Sequence, residues 1–205
     1  MERLTTRDGR ALIAQAVEAL RGGRPVVLPT DTVYGLSGDP HSETAAGEIY
    51  RLKQRPLEQP LALLANDVDT LVELVPELPR AILEALLPGA YTLVLPNPAR
   101  RFRWLTGSAP ETIGVRVPEL AGPGAEVLAE VGAVVATSAN LHGGQEARTL
   151  EDVPDQIRAG TVSVDGGELP GIPSTVLDLT GPEPRVLRES AVPAAEALDR
   201  YRQVT

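Results

Sequence analysis

The sequence contains no cysteine, so neither disulfides nor thiolate metal sites contribute to it. Only two histidines, His41 and His142, are present, which argues against a zinc site built from protein ligands alone. Lysine is nearly absent as well: of 19 basic residues, 18 are arginine and the other is Lys53. No apolar run approaches membrane-spanning length, and residues 1–6 lack the apolar core of a secretory signal. A cytoplasmic location is therefore expected. The nucleophile-elbow pattern Gly-x-Ser-x-Gly, the Walker phosphate loop and the Rossmann glycine fingerprint are all missing.

What is present fits a soluble globular protein of one domain over residues 1–205, with 42% hydrophobic and 23% charged residues. The net charge of −9 argues against a protein that coats nucleic acid through a general phosphate field. It leaves room for a local basic pocket. An arginine-rich chain that keeps a single lysine points to a site needing a compact ammonium rather than a planar fork, with chance retention at the surface as the alternative.

Hydrophobic spacing predicts interleaved helices and strands. Asp8 is placed to cap a helix carrying Leu12, Ile13, Ala16, Val17 and Leu20, ended by Gly22-Gly23. Val26-Val27-Leu28 reads as a buried strand leading into the polar stretch Pro-Thr-Asp-Thr-Val-Tyr-Gly-Leu-Ser-Gly at 29–38. If that stretch stays extended, a period of two brings Thr30, Thr32 and Tyr34 to one face, with Gly35 and Gly38 allowing close backbone approach. A solvated hairpin is the alternative. Ser42 caps a helix running to about Leu52, which Lys53-Gln54-Arg55-Pro56 ends. Further strands are predicted at 61–65, 91–95, 112–117, 133–137, 162–164, 175–179 and 185–187. Asp67 and Pro79 start two short helices, and others are expected at 126–131 and 194–201, with 100–104 as a loop. Several strand-to-strand links are too short for a helical crossover. The expected fold class is therefore α/β, a twisted sheet of mixed parallel and antiparallel strands flanked by helices.

Residues suited to anions gather at element ends, where α/β sheets place ligands. Lys53 and Arg55 stand at a helix end, Ser138 and Asn140 follow a buried strand, and Ser174 precedes one. Arg116 lies opposite the apolar face of its strand, and Arg188 follows Val186-Leu187. Arginine and lysine suit phosphate and carboxylate groups, which hydroxyls and amides then orient. Taken singly, an ion pair would explain Arg116 or Arg188, a helix cap Ser138 and a turn Ser174.

Over about residues 29–188 these segments fall into one series: Pro-Thr-Asp-Thr-Val-Tyr-Gly-Leu, Lys-x-Arg-Pro, Pro-Gly-Ala-Tyr-Thr-Leu-Val-Leu, Val-Arg-Val-Pro, Ser-Ala-Asn, Pro-Ser-Thr-Val-x-Asp and Leu-Arg. In this order they resemble the YrdC-domain family of L-threonylcarbamoyladenylate synthases, in its short bacterial form. The resemblance implies a YrdC-like fold and a nucleotidyltransferase. Such an enzyme joins L-threonine, bicarbonate and ATP into threonylcarbamoyl-AMP and releases pyrophosphate. A separate tRNA threonylcarbamoyltransferase complex would then move the group to the adenosine beside the anticodon, and direct tRNA binding by this chain stays open.

By the same resemblance, Thr30, Thr32, Tyr34, Arg116 and Ser174 hold or shape the threonine site. Lys53, Arg55, Gln59, Ser138, Asn140 and Arg188 hold ATP, with Lys53 and Arg55 as the catalytic pair. Mg2+ would arrive with ATP and be held mainly by its phosphates; no tightly bound cofactor and no membrane partner is expected. The chain departs from many members at Asp31 (glutamate), Gln59 (asparagine) and Leu64 (a histidine that short bacterial members also lack), and Glu146 stands where longer members often have a serine. The extra C-terminal domain of longer members is expected to be missing. Two other classes compete. A non-catalytic RNA- or ribosome-binding module draws on the basic stripe at 100–103. A carbamoyl-phosphate-related transferase would need acylphosphatase and zinc-binding segments, for which neither the length nor the cysteines exist.

Overall fold

The apolar spacing of the first helix is realised in α1 (Thr6–Arg21), which buries Ala16, Val17, Ala19 and Leu20 on one side. The computed structural model describes residues 6–205. Asp8 lies inside this helix rather than at its cap, and its side chain lies outside the described residues. Gly23 ends the turn at φ +71°, a conformation that glycine adopts without a Cβ penalty. The chain then enters β1 (Val26–Pro29), reverses through residues 30–33 and returns as β2 (Tyr34–Gly38), with Pro29 opposite Tyr34.

The remaining order is α2 (Glu43–Lys53), β3 (Ala62–Ala65), α3 (Val68–Leu74), α4 (Arg80–Leu86), β4 (Tyr91–Pro96), β5 (Thr112–Arg116), α5 (Gly122–Val131), β6 (Ala133–Ser138), α6 (Asp155–Ala159), β7 (Val162–Ser163), β8 (Thr175–Asp178), β9 (Arg185–Arg188) and α7 (Ala194–Arg202). Ser42 caps α2 by accepting from the Ala45 N–H, and Asp67 caps α3 by accepting from Thr70. The nine strands form one sheet in the order β7-β1-β2-β6-β3-β5-β4-β8-β9. Pairs β1/β7, β3/β5 and β4/β8 are parallel and the other five antiparallel, the mixed sheet expected from the short links.

Strand register sorts the core. Val27 pairs with Leu36, and Val135, Leu63, Val115, Leu93 and Leu177 pair in turn, all on one face. Helices cover that face from end to end: α2 and α6 over one half, α3, α4 and α7 over the other. On the opposite face, α1 and α5 cover Val26, Leu28, Val134 and Ala136. The half of that face formed by β3, β5, β4 and β8 meets the α1 and α5 cluster only at its margin, through Leu64 and Ala62 of β3. Its residues are Ala62, Leu64, Gly114, Arg116, Thr92 and Val176, a mixture of apolar and polar side chains. The sheet thus leaves one floor open.

Three sequence expectations change. The segment 34–38 is a central strand, buried along its whole length, rather than the continuation of a polar loop. Its two glycines hide that character; Gly38 is small because a Cβ there would stand 3.2 Å from both Ala45 and Ile49 of α2. The loop at 100–104 contains a 3-10 turn over Arg103–Leu105, and α6 is too short to show a helical period. Finally, α5 begins at Gly122, four residues before the predicted start, because Gly124 tucks under Pro29. A Cβ on Gly124 would lie 2.2 Å from the Pro29 carbonyl oxygen. Gly124→Ala is therefore expected to cost about 1–3 kcal/mol by overpacking and to push the 30–33 turn out of place. A urea melt checks it, and an unshifted midpoint would contradict the packing argument.

Candidate active site

A cavity of about 350 Å³ opens over the bare half-face, within the range of small-molecule sites. Ala62, Leu64, Thr92, Arg116 and Val176 form its floor. Loops at the ends of β1, α2 and β6, together with Pro173, Ser174 and Arg188, form its walls.

One end is built on Arg116. Its alternation in β5 puts Ile113, Val115 and Val117 into the core and turns the guanidinium to the cavity, 5% exposed. Arg116 donates to Asp31 at 2.5 Å and to the Thr32 hydroxyl at 3.2 Å. Burial pulls its pKa down while Asp31 acts against that pull, and an arginine stays charged regardless. Asp31 also accepts from the Glu119 N–H, so the carboxylate is fixed from two directions. The Thr30 hydroxyl accepts from the Thr32 and Val33 N–H groups and lies 3.1 Å from the Thr32 hydroxyl. Across the cavity, the Ser174 and Thr92 hydroxyls are 2.8 Å apart, and Arg188 donates to the Ser174 carbonyl at 2.7 and 3.0 Å.

The other end is built on Lys53, the last residue of α2 and only 2% exposed. Its ammonium reaches the carbonyl of Ser138 at 2.7 Å, the carbonyl of Asn140 at 2.9 Å, the Asn140 side-chain oxygen at 2.6 Å and the Ser138 hydroxyl at 3.2 Å. Three protons meet four acceptors. Burial pushes the Lys53 pKa down to about 8, with Glu146 opposing and Arg55 reinforcing the fall. Asn140 in turn donates to the Gly144 carbonyl at 2.6 Å, so the 138–144 loop is tied to the lysine. Arg55 lies at the same end; it donates to the Pro60 carbonyl at 3.0 Å, and burial lowers its pKa.

The structure brings Thr30, Thr32, Lys53, Arg55, Arg116, Ser138, Asn140, Ser174 and Arg188 to one cavity. Arg188, expected with the ATP group, is hydrogen-bonded at the Ser174 end. Two other expected residues are corrected. Tyr34 does not line the cavity: the chain turns back at 30–33, so its side chain falls on the α2 and α6 face. Its fully buried hydroxyl lies 2.8 Å from the Gly167 carbonyl and 3.1 Å from Asp165, and accepts from the Gly166 N–H. Burial raises its pKa to about 12, which keeps it a donor. Gln59 does not line the cavity either; its amide lies 3.3 Å from the ring of His142, which does. Sequence reasoning missed Thr92, although its alternation with Tyr91 and Leu93 would have turned it away from the core. It also missed Asp31 as the anchor of Arg116.

Among the described residues, no group of three or more His, Cys, Asp or Glu is placed to hold a metal ion, and no helix is long and apolar enough to cross a membrane.

A threonylcarbamoyl-AMP synthase of Escherichia coli K12 is 36% identical over 162 residues, 77% of this chain and 85% of that one. The crystal structure of P. abyssi Sua5 complexed with L-threonine superposes with a TM-score of 0.85 at 29% identity over 99% of this chain. This chain spans only 60% of that protein's length. E. coli YciO superposes with a TM-score of 0.79 at 29% identity, covering 93% of this chain and 94% of that one. The family model Sua5_yciO_yrdC, described as telomere recombination, matches residues 18–190, a span that contains every residue lining the cavity. The chain belongs to the Sua5_yciO_yrdC family.

Proposed function

We propose that this protein is an L-threonylcarbamoyladenylate synthase, forming threonylcarbamoyl-AMP and pyrophosphate from L-threonine, bicarbonate and ATP. The observation that carries the reading is one cavity with two anion-binding ends, Arg116 with Thr32 at one and Arg55 with the Lys53-held loop at the other. The first end suits an amino acid: a guanidinium for the carboxylate, with the Thr32, Thr92 and Ser174 hydroxyls for its amine and side chain. The second suits a polyphosphate, through a cation and a loop rich in hydroxyl, amide and glycine. The name of the E. coli relative and the threonine bound to P. abyssi Sua5 support the same pairing.

Threonine's amine takes up the carbon of bicarbonate with loss of water, and the resulting N-carboxylate attacks the α-phosphorus of ATP. Pyrophosphate leaves. No covalent bond to the protein is needed, so the residues work by bringing anions together and stabilising developing charge. Mg2+ arriving with ATP would neutralise charge on the phosphates. The product is an activated acyl adenylate, consumed by a separate tRNA threonylcarbamoyltransferase complex. The RNA-binding alternative draws less support, because Arg101 of its basic stripe is paired with Glu77 through two hydrogen bonds of 2.9 Å.

Pyrophosphate release from ATP tests the proposal, with threonine and bicarbonate each omitted in turn. Release should fall to background in either omission. Release that ignores threonine would overturn the reading.

A further inference from the structure

Among the described residues, Glu146 is the one carboxylate lining the cavity, beside cations and neutral groups. Its Oε2 is buried without a hydrogen-bond partner, the single such side-chain atom among the described residues. Glu146 acts on the Lys53 ammonium, yet the lysine's protons are turned to Ser138 and Asn140. An acceptor left in this state is costly, and a bare carboxylate also repels a polyphosphate.

Charge at this end of the cavity is short. Lys53 and Arg55 bring two positive charges and Glu146 removes one, against the several negative charges of a nucleoside triphosphate. Both difficulties reverse if a divalent cation comes with the nucleotide. A carboxylate oxygen is a hard ligand, and Mg2+ is commonly held by one or two carboxylates plus substrate phosphates, with waters completing its shell. The phosphates would supply the other ligands.

We propose that Glu146 is the protein's own ligand for a divalent cation that enters with the nucleotide, so that the cation and the polyphosphate are held as one unit. This rests on the reading of the site as one that binds ATP. It adds a cation dependence written into this chain's residues rather than carried by the phosphates alone.

The test is calorimetric titration of the full chain with adenylyl imidodiphosphate, in Mg2+ and in EDTA, for the wild type, Glu146→Gln and Glu146→Asp. Mn2+ replaces Mg2+ in a parallel relaxation measurement. The wild type should bind at least about tenfold more tightly with metal than without, and Glu146→Gln should cut that advantage to about twofold or less. Metal-free binding by Glu146→Gln should be equal or tighter, since a repelling charge is gone. Glu146→Asp should retain an intermediate advantage, and the Mn2+ relaxation enhancement should fall in the order wild type, Glu146→Asp, Glu146→Gln. An unchanged metal advantage in Glu146→Gln would overturn the proposal while leaving ATP binding intact. So would weaker metal-free binding by Glu146→Gln, which would make the carboxylate an acceptor for a nucleotide hydroxyl or amine. Failure of every variant to bind nucleotide in either condition would remove the ATP reading itself, and this inference with it.

Discussion

Arg116→Ala is expected to lower kcat/KM for threonine by about two to three orders of magnitude, from loss of a buried charge-assisted partner worth about 3–5 kcal/mol. The guanidinium donates to the Thr32 hydroxyl, and the residue's 5% exposure means water cannot replace it cheaply. The same change strands Asp31, whose side chain is 12% exposed, beside a void. Stability should therefore fall as well, by a similar amount, since breaking a buried pair costs far more than the pair contributes. The two effects separate in a double variant. Asp31→Asn on the Arg116→Ala background removes the stranded charge and should recover much of the lost stability without restoring threonine binding. Threonine titrations and thermal melts of the wild type, Arg116→Ala and the double variant check this. If Arg116→Ala binds threonine within a few-fold of the wild type, the carboxylate role is wrong.

Why this end of the site was legible is instructive. The alternation of Ile113, Val115 and Val117 against Arg116 is a two-residue period, and a charged residue on the polar face of a buried strand has few places to go. The core followed for the same reason: each predicted strand with a period or a continuous apolar run is present, and the short links forced a mixed sheet. What the residues left open was the reversal at 30–33, since an extended stretch and a hairpin both fitted them. Thr30 closes that turn with its own hydroxyl, which accepts from Thr32 and Val33, a local interaction that hydropathy does not register. The reversal decides which face every later residue takes. It sends Tyr34 to the opposite side, where the residue packs under α2, and leaves Asp31 at the tip to reach Arg116, 85 residues away. For Thr92, alternation gave the face but not the partner, because Ser174, immediately before β8, β4's parallel neighbour, is far from it in sequence.

Lys53 makes the second large prediction and changes in meaning. A lone lysine suggests an ammonium aimed at phosphate, but the ammonium here is turned into the protein and fastens the 138–144 loop. It is a positioning residue: what faces the cavity is the loop it holds. Lys53→Ala should lower turnover at saturating ATP by about a hundredfold or more, as removal of a preorganised donor set does, with threonine binding little changed. Lys53→Arg should not rescue it, because a planar fork cannot direct three protons at four acceptors converging on one point. The pH dependence distinguishes this from simple loss of fold. With the lysine's pKa at about 8 in the folded protein, turnover should fall as pH rises through about 8, because the neutral amine lacks the third proton. Stability moves the other way. Between about 8 and the ordinary value of 10.5 the unfolded chain binds a proton that the folded one does not, so the lysine's own contribution to stability rises with pH across that window. Below it, the buried charge is a constant cost. Lys53→Met should flatten both curves together. A Lys53→Met protein that keeps the wild-type fall in turnover above pH 8 would place the titrating group elsewhere, and full turnover in Lys53→Ala would leave the loop without need of its lysine.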